Sequence, residues 1–394
     1  MANEEQHYEA SLGQKLPSIF LPCLGYFAIM GIPMIFGALM SRFAVDAATA
    51  TVATTSEVAA MTVASLLVSL VLDRLRLKSA MVAAILLIIV GQAVTFSTAQ
   101  FNVAVVARAA TGFGEGLCIG LGLASLAQVK GGAKWLSFLG ALAAVFTWIG
   151  FLCVPALTDR FGPNAVFFFS FGWAWFGLIL AFLAPNRRLE RHISNHSSFA
   201  GMLDRRNVAL FTLCLLSCIG TDACWLYFEQ VGEHAGLDAP SVGLIGSTAT
   251  LLSVLGPFIA NFFFKRIKGI GPLVGATVTL GIGSILYIKH GVILFWIVVV
   301  VMTVTYVFLM AYARMYSAYI DASGRATAAV GAADSLGLLI GPVIVATFLN
   351  LESGYQPLGN LGAVLQLLTL VPAALLVLST RSKGKSVQAA VGEP

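Results

Sequence analysis

Six ionisable residues stand inside runs that are otherwise apolar: Glu57, Arg108, Glu115, Asp222, Glu229 and Asp334. A charge in low-dielectric surroundings costs several kcal/mol unless it is paired, wetted or neutralised. Each is therefore a candidate for ligand or proton chemistry. Arg108 and Glu115 lie seven residues apart, two helical turns less about 20°, so they project from one face of a helix. Asp222 and Glu229 repeat that spacing. Glu57 follows the polar stretch TVATTS, which suits a surface lining a polar cavity, and Asp334 sits in GAADSLG between Gly331 and Gly337. Desolvation favours a protonated carboxyl and a neighbouring guanidinium an ionised one, so a carboxyl under both influences can exchange protons near neutral pH. The bland alternative for each residue is a fixed contact that only orders helix packing. Among the aromatic residues, Tyr26 and Trp225 lie deepest in their runs and suit stacking on an organic molecule.

The elements that carry these residues follow from composition. Of 394 residues, 58% are hydrophobic and 10% charged, against roughly 25% charged in a soluble domain. Mean hydropathy is +0.90. So few charges cannot cover a water-facing surface, and most of the surface must face lipid. The chain reads as an all-α polytopic membrane protein. Its net charge of +5 comes from basic residues scattered through short loops, which excludes a nucleic-acid binder. The six cysteines sit in apolar runs, where cysteine behaves as a small hydrophobe. Residues 1–16 carry Glu4, Glu5 and Glu9 and lack the basic leader of a secretory signal.

An apolar helix needs about 20 residues to cross the hydrocarbon core. Twelve spans fit, over 17–41, 48–72, 79–97, 101–128, 134–157, 164–184, 207–231, 241–264, 271–288, 291–314, 326–349 and 358–379. With the N-terminus inside, eighteen of the 23 basic residues fall on the inner side and three, Arg42, Arg160 and Lys289, on the outer. Positive residues are retained on the cytoplasmic side, so both termini are expected there, in a cytoplasmic (inner) membrane. The expected division is an N-terminal six-helix bundle over 1–185, a basic linker over 186–206 and a C-terminal bundle over 207–394.

Two coincidences suggest that the bundles are repeats. The charged loop after span 2 begins at Asp73 and that after span 8 at Lys265, 192 residues on. Gly140 and Gly150 of span 5 are matched by Gly331 and Gly341 of span 11, both at an offset of 191. Arg108, Gly112, Gly116 and Gly120 also form a small-xxx-small stripe, which lets a neighbouring helix come close.

Residues 69–81, SLVLDRLRLKSAM, resemble the loop signature of the major facilitator superfamily, G-x-x-x-D-R-x-G-R-[RK], through Asp73, Arg74 and Lys78. Ser69 replaces the first glycine and Arg76 the second. Residues 108–114, RAATGFG, are similar to the span-4 signature R-x-x-x-G-x-G of that family. The resemblance covers the whole twelve-span layout. It implies two pseudo-symmetric six-helix bundles that rock about a site near the bilayer midplane. At the inner end of span 2, Asp73 and Arg74 then suit a gate, with Arg314, Asp321 and Arg325 as the second bundle's half. Span 5 lacks the Gly-Pro signature of the family's drug/proton antiporters, and span 1 lacks the acidic pattern of its aromatic-acid symporters.

His192 and His196 share a helical spacing but lie in a polar basic loop with no third ligand. GFGEGLCIGLG has the glycines of a phosphate loop but not its Lys-Ser/Thr, and it lies within a span. No metal, cofactor or ATP is implied, and a proton gradient remains as the energy source. The expected activity is proton-coupled uptake of a small organic solute, with an organic anion favoured because one arginine faces several protonatable acids. Drug or organic-cation efflux against protons is the alternative, and a sensor or scaffold that transports nothing is the reading from another class. An enzyme is not expected, for want of a nucleophile–base pair. The expected partners are the solute, protons and the lipid bilayer, with the chain a monomer.

Overall fold

The computed structural model describes residues 11–71, 74–127, 132–188, 204–289, 291–320, 325–349 and 355–378. Sixteen α-helices occur among them, the last over 370–378, and the only β pairing among them is an isolated bridge between Arg76 and Arg188. The N-terminal helices are α1 (Leu12–Met30), α2 (Ile32–Phe43), α3 (Ala47–Val71), α4 (Leu77–Ser97), α5 (Phe101–Ala127), α6 (Gly132–Phe161) and α7 (Ala165–Ala181). After the linker come α8 (Arg205–Leu226), α9 (Phe228–His234), α10 (Ala239–Ser253), α11 (Leu255–Arg266), α12 (Gly271–Tyr287), α13 (Val292–Ile320), α14 (Arg325–Leu349) and α15 (Gln356–Leu368).

Seven helical stretches are long and apolar enough to cross a bilayer, and the bent pair α1–α2 makes an eighth. One of the seven, Leu142–Ala181, holds most of α6 and all of α7 on either side of a 3-10 turn at Gly162–Asn164. The shorter or more polar α3, α12 and α14 lie where the remaining expected spans fall. Four spans expected to be continuous are broken. The first bends by 61° at Gly31, where Pro33 follows in the opening turn of α2. Proline offers no amide to the preceding turn and its ring collides with the carbonyl four residues back. Pro257 follows the break at Val254, and Pro372 the turn at Thr369, in the same way. The break at Tyr227, between α8 and α9, has no proline to cause it.

The chain divides into two compact units, Met1–Ile193 with Ala239–Ser247, and Ser194–Asp238 with Thr248–Pro394. In the first, α5 is central and packs on α1, α3 and α4, while α7 covers α4. Glycines set these distances. A Cβ on Gly112 would collide with the backbone of Glu57, one on Gly116 with the backbone of Met61, and one on Gly120 would reach Val68 at 2.9 Å. The stripe thus faces α3. Gly114, on another side of α5, meets the Ala84 carbonyl of α4. Two caps secure the ends. Arg42 donates to the Phe96 and Thr98 carbonyls at 2.8 and 2.7 Å, at the negative end of the α4 dipole. Asp46 accepts the Thr49 amide at 2.8 Å ahead of α3, and the Thr49 hydroxyl and amide hold its carboxyl below the usual range.

In the second unit, α8 packs on α14 and α15, α12 on α13 and α15, and α11 on α13. Gly341 of α14 lies against Ile219 and Ala223 of α8, as Gly150 of α6 lies against Phe27 of α1. The two matched glycines therefore serve the same pair of spans in each half.

Inserting a side chain into a close backbone crossing costs about 1–3 kcal/mol or more. Gly116→Leu is expected to lower the thermal unfolding midpoint in detergent by several degrees or to abolish folding. Gly172→Ala, where a Cβ meets open space, is expected to leave it unchanged or slightly raised.

Candidate functional site

In the N-terminal unit the sequence-predicted residues converge on Arg108, which is fully buried. Its Nε donates to Glu57 Oε2 at 2.9 Å and its Nη2 donates to Glu57 Oε1. The third nitrogen, Nη1, donates to Gln92 Oε1 of α4 at 3.0 Å, and the guanidinium lies 5.6 Å from the ring centroid of Phe167 on α7. One side chain of α5 thereby joins α3, α4 and α7. The glycine stripe makes this reach possible, because the backbone of Glu57 rests on Gly112, one turn from Arg108.

Arg108 therefore takes its ion-pair partner from another helix rather than from Glu115 on its own face. Glu115 is 3% exposed, and its Oε2 has no hydrogen-bond partner among the described residues. Thr51 and Thr54 are buried, and the hydroxyls of Thr51, Thr54 and Ser56 bond carbonyls of their own helix. Gln92 was missed by sequence reading, although an amide inside the apolar run ILLIIVGQAV was a visible signal.

The second unit holds a cluster of a different kind. Asp222 of α8 is 7% exposed, and its Oδ2 has no hydrogen-bond partner among the described residues. One turn earlier stands Cys218, and the absence of a side chain at Gly337 of α14 leaves room for both. The Tyr306 hydroxyl of α13 donates to Asp334 Oδ1 at 2.5 Å and lies 3.6 Å from Cys218 Sγ. Arg314 Nη2 stands 3.5 Å from Asp334 Oδ2, with both side chains partly exposed. Donor atoms of Cys218, Asp222 and Asp334 lie within 4.8 Å of one another; a metal ion there would compete with Arg314 for Asp334. The sequence reads Cys218 only as a small hydrophobe, and nothing in its spacing links Tyr306 to an acid.

The remaining candidates lie apart from the two clusters. Glu229 is half-buried in the first turn of α9. Trp225 stacks on Phe228 at 5.4 Å, and Phe228 stacks in turn on Phe295 at 5.7 Å. Tyr26 is half-buried on α1. Among the gating candidates, Arg74 is exposed, Asp73 and Asp321 lie outside the described residues, and Arg325 opens α14. Arg314, grouped with them by sequence, contacts Asp334.

Removing one partner of a buried ion pair costs about 3–5 kcal/mol, because the other charge is left uncompensated. Glu57→Gln and Arg108→Met are each expected to lower stability by that order. The double replacement Glu57→Met with Arg108→Met should lose less than the sum, as a double-mutant cycle of thermal unfolding would read.

The sequence model described as Major Facilitator Superfamily matches residues 19–342. No curated protein matches the chain. Among solved structures, a point mutant of the nucleoside transporter NupG superposes with a TM-score of 0.76 at 12% identity, covering 93% of this chain and 99% of that one. Unmutated NupG gives 0.73 at 13%, covering 93% and 98%. A D-xylose-proton symporter gives 0.67 at 14%, covering 91% and 96%. At such identities the likeness speaks for the fold, while the family match spans most of the chain. The chain is a multi-pass membrane transporter, not an enzyme, and belongs to the Major Facilitator Superfamily.

Proposed function

We propose that the protein is a proton-coupled symporter that takes up a small organic solute by alternating access across the cytoplasmic membrane. One observation carries the reading. Each unit gathers one arginine and two carboxylates: Arg108 pairs with Glu57 and interacts electrostatically with Glu115, and Arg314 approaches Asp334, which in turn lies close to Asp222. Either set bears one surplus negative charge when both acids are ionised and becomes neutral on binding one proton. The surplus acids, Glu115 and Asp222, are buried and each keeps an oxygen without a hydrogen-bond partner among the described residues. A low-dielectric interior resists net charge, so proton binding and conformation are coupled wherever either acid changes its exposure.

The solute favoured is neutral and hydroxylated rather than anionic. The preference for an anion rested on one arginine facing several protonatable acids, and each nitrogen of the Arg108 guanidinium already donates to Glu57 or Gln92. Nucleosides and xylose, the solutes in the names of the structural neighbours, are of the neutral hydroxylated class.

Purified protein in proteoliposomes is expected to accumulate a neutral solute, from a panel of sugars and nucleosides, only under an inward proton gradient. Asp222→Asn and Glu115→Gln should abolish that accumulation, by tenfold or more at about 1.4 kcal/mol per decade. Exchange of labelled for unlabelled solute at equal pH should survive in at least one of them. Accumulation without a proton gradient, or unchanged in both variants, would end the symport reading.

A further inference from the structure

At one end of the second unit, a cleft of about 510 Å³ opens between the start of α8, the start of α12, the end of α13 and the last span. Its polar lining is basic and phenolic: Arg206, Lys268, Tyr316 and Tyr319. Its other wall is apolar, formed chiefly by Leu376 and Val377. Tyr316 is 3% exposed, lines the cleft, and lies within the electrostatic reach of Arg206. The first amides of α12 also face this end. Their N-cap is Ile270, which supplies no side-chain acceptor, so the positive end of the helix dipole is left uncapped by protein. Lys265, Arg266 and Arg205 are nearby in sequence and outnumber Asp204, the N-cap of α8, and no acidic residue lines the cleft among the described residues.

The combination identifies a ligand class. Two cationic side chains, a buried hydroxyl and uncapped amides are donors for a phosphate ester. An apolar wall has no use for free phosphate. That wall continues into Val371, Leu375 and Leu378, exposed side chains of the last apolar span, which a membrane would cover with acyl chains. We propose that this cleft binds the headgroup of an anionic phospholipid, with the phosphate between Arg206 and Lys268 and an acyl chain along Val371, Leu375 and Leu378. Basic pockets among transmembrane helices on the cytoplasmic side are suited to such headgroups, and the positive-inside rule assigns this end to that side. The site is independent of proton coupling and needs only that the chain is embedded in a bilayer.

The test is native mass spectrometry of delipidated protein in detergent, titrated with phosphatidylglycerol and with phosphatidylcholine of the same acyl chains. Inorganic phosphate and glycerol 3-phosphate serve as soluble competitors. Phosphatidylglycerol adducts should form at about tenfold lower concentration than phosphatidylcholine adducts. Arg206→Gln combined with Lys268→Gln should erase the preference, Tyr316→Phe should weaken it, and Arg160→Gln, in the other unit, should leave it intact. If the double variant does not fold, Lys268→Gln alone, at an exposed position, should reduce the preference. Equal binding of the two lipids, or a preference that survives these variants, would overturn the proposal. Displacement of the lipid by inorganic phosphate at comparable concentration would also overturn it, by making the site one for a soluble anion.

Discussion

The interior of this protein cannot hold a charge without a counter-charge, and the Arg108–Glu57 pair is where that constraint shapes the N-terminal unit. With no water to solvate it, the guanidinium must find acceptors for its donors on neighbouring helices. It finds them on α3 and α4, with an aromatic face on α7. Four helices are thereby fixed in register about one side chain. The glycines of α5 serve the same end, because a wider spacing of α3 and α5 would carry Glu57 out of reach. Packing and electrostatics here are one requirement rather than two.

Against this closed arrangement, the cluster in the second unit is loosely held. Arg314 and Asp334 stand 3.5 Å apart and are partly exposed, while Asp222 is buried with an unpartnered oxygen. Tyr306 connects Asp334 to Cys218. A pair at that distance and exposure is held weakly and can exchange partners at small cost. The two units therefore differ in what they can contribute to transport: a rigid frame in one and a rearrangeable set of donors and acceptors in the other. The surplus carboxyl in each is the group that we propose to bind the coupling proton.

Much of this was legible in the sequence. Apolar runs of about 20 residues gave the spans, and the small-xxx-small spacing gave the face of α5 that another helix would approach. The matched glycines of spans 5 and 11 marked the repeat, and Gly150 and Gly341 do occupy matching helix crossings. What spacing could not supply was the partner across a helix boundary. Periodicity places Arg108 and Glu115 on one face but is silent on Glu57, 51 residues away in the chain. The same limit hid the meeting of Tyr306, Cys218 and Asp334, which come from three helices. Three of the four broken spans had visible causes in Pro33, Pro257 and Pro372, and a count of hydrophobic residues passes over them because proline interrupts the backbone without interrupting the apolar run.

The most direct measurement is an infrared difference spectrum of the reconstituted protein between acidic and alkaline pH, read in the band of protonated carboxyl groups. The predicted result is a carboxyl signal that diminishes separately in Asp222→Asn and in Glu115→Gln, and that persists in a folded Glu57→Gln variant. A signal untouched by both of the first two variants, or carried by Glu57, would contradict the assignment of the surplus acids as the proton sites.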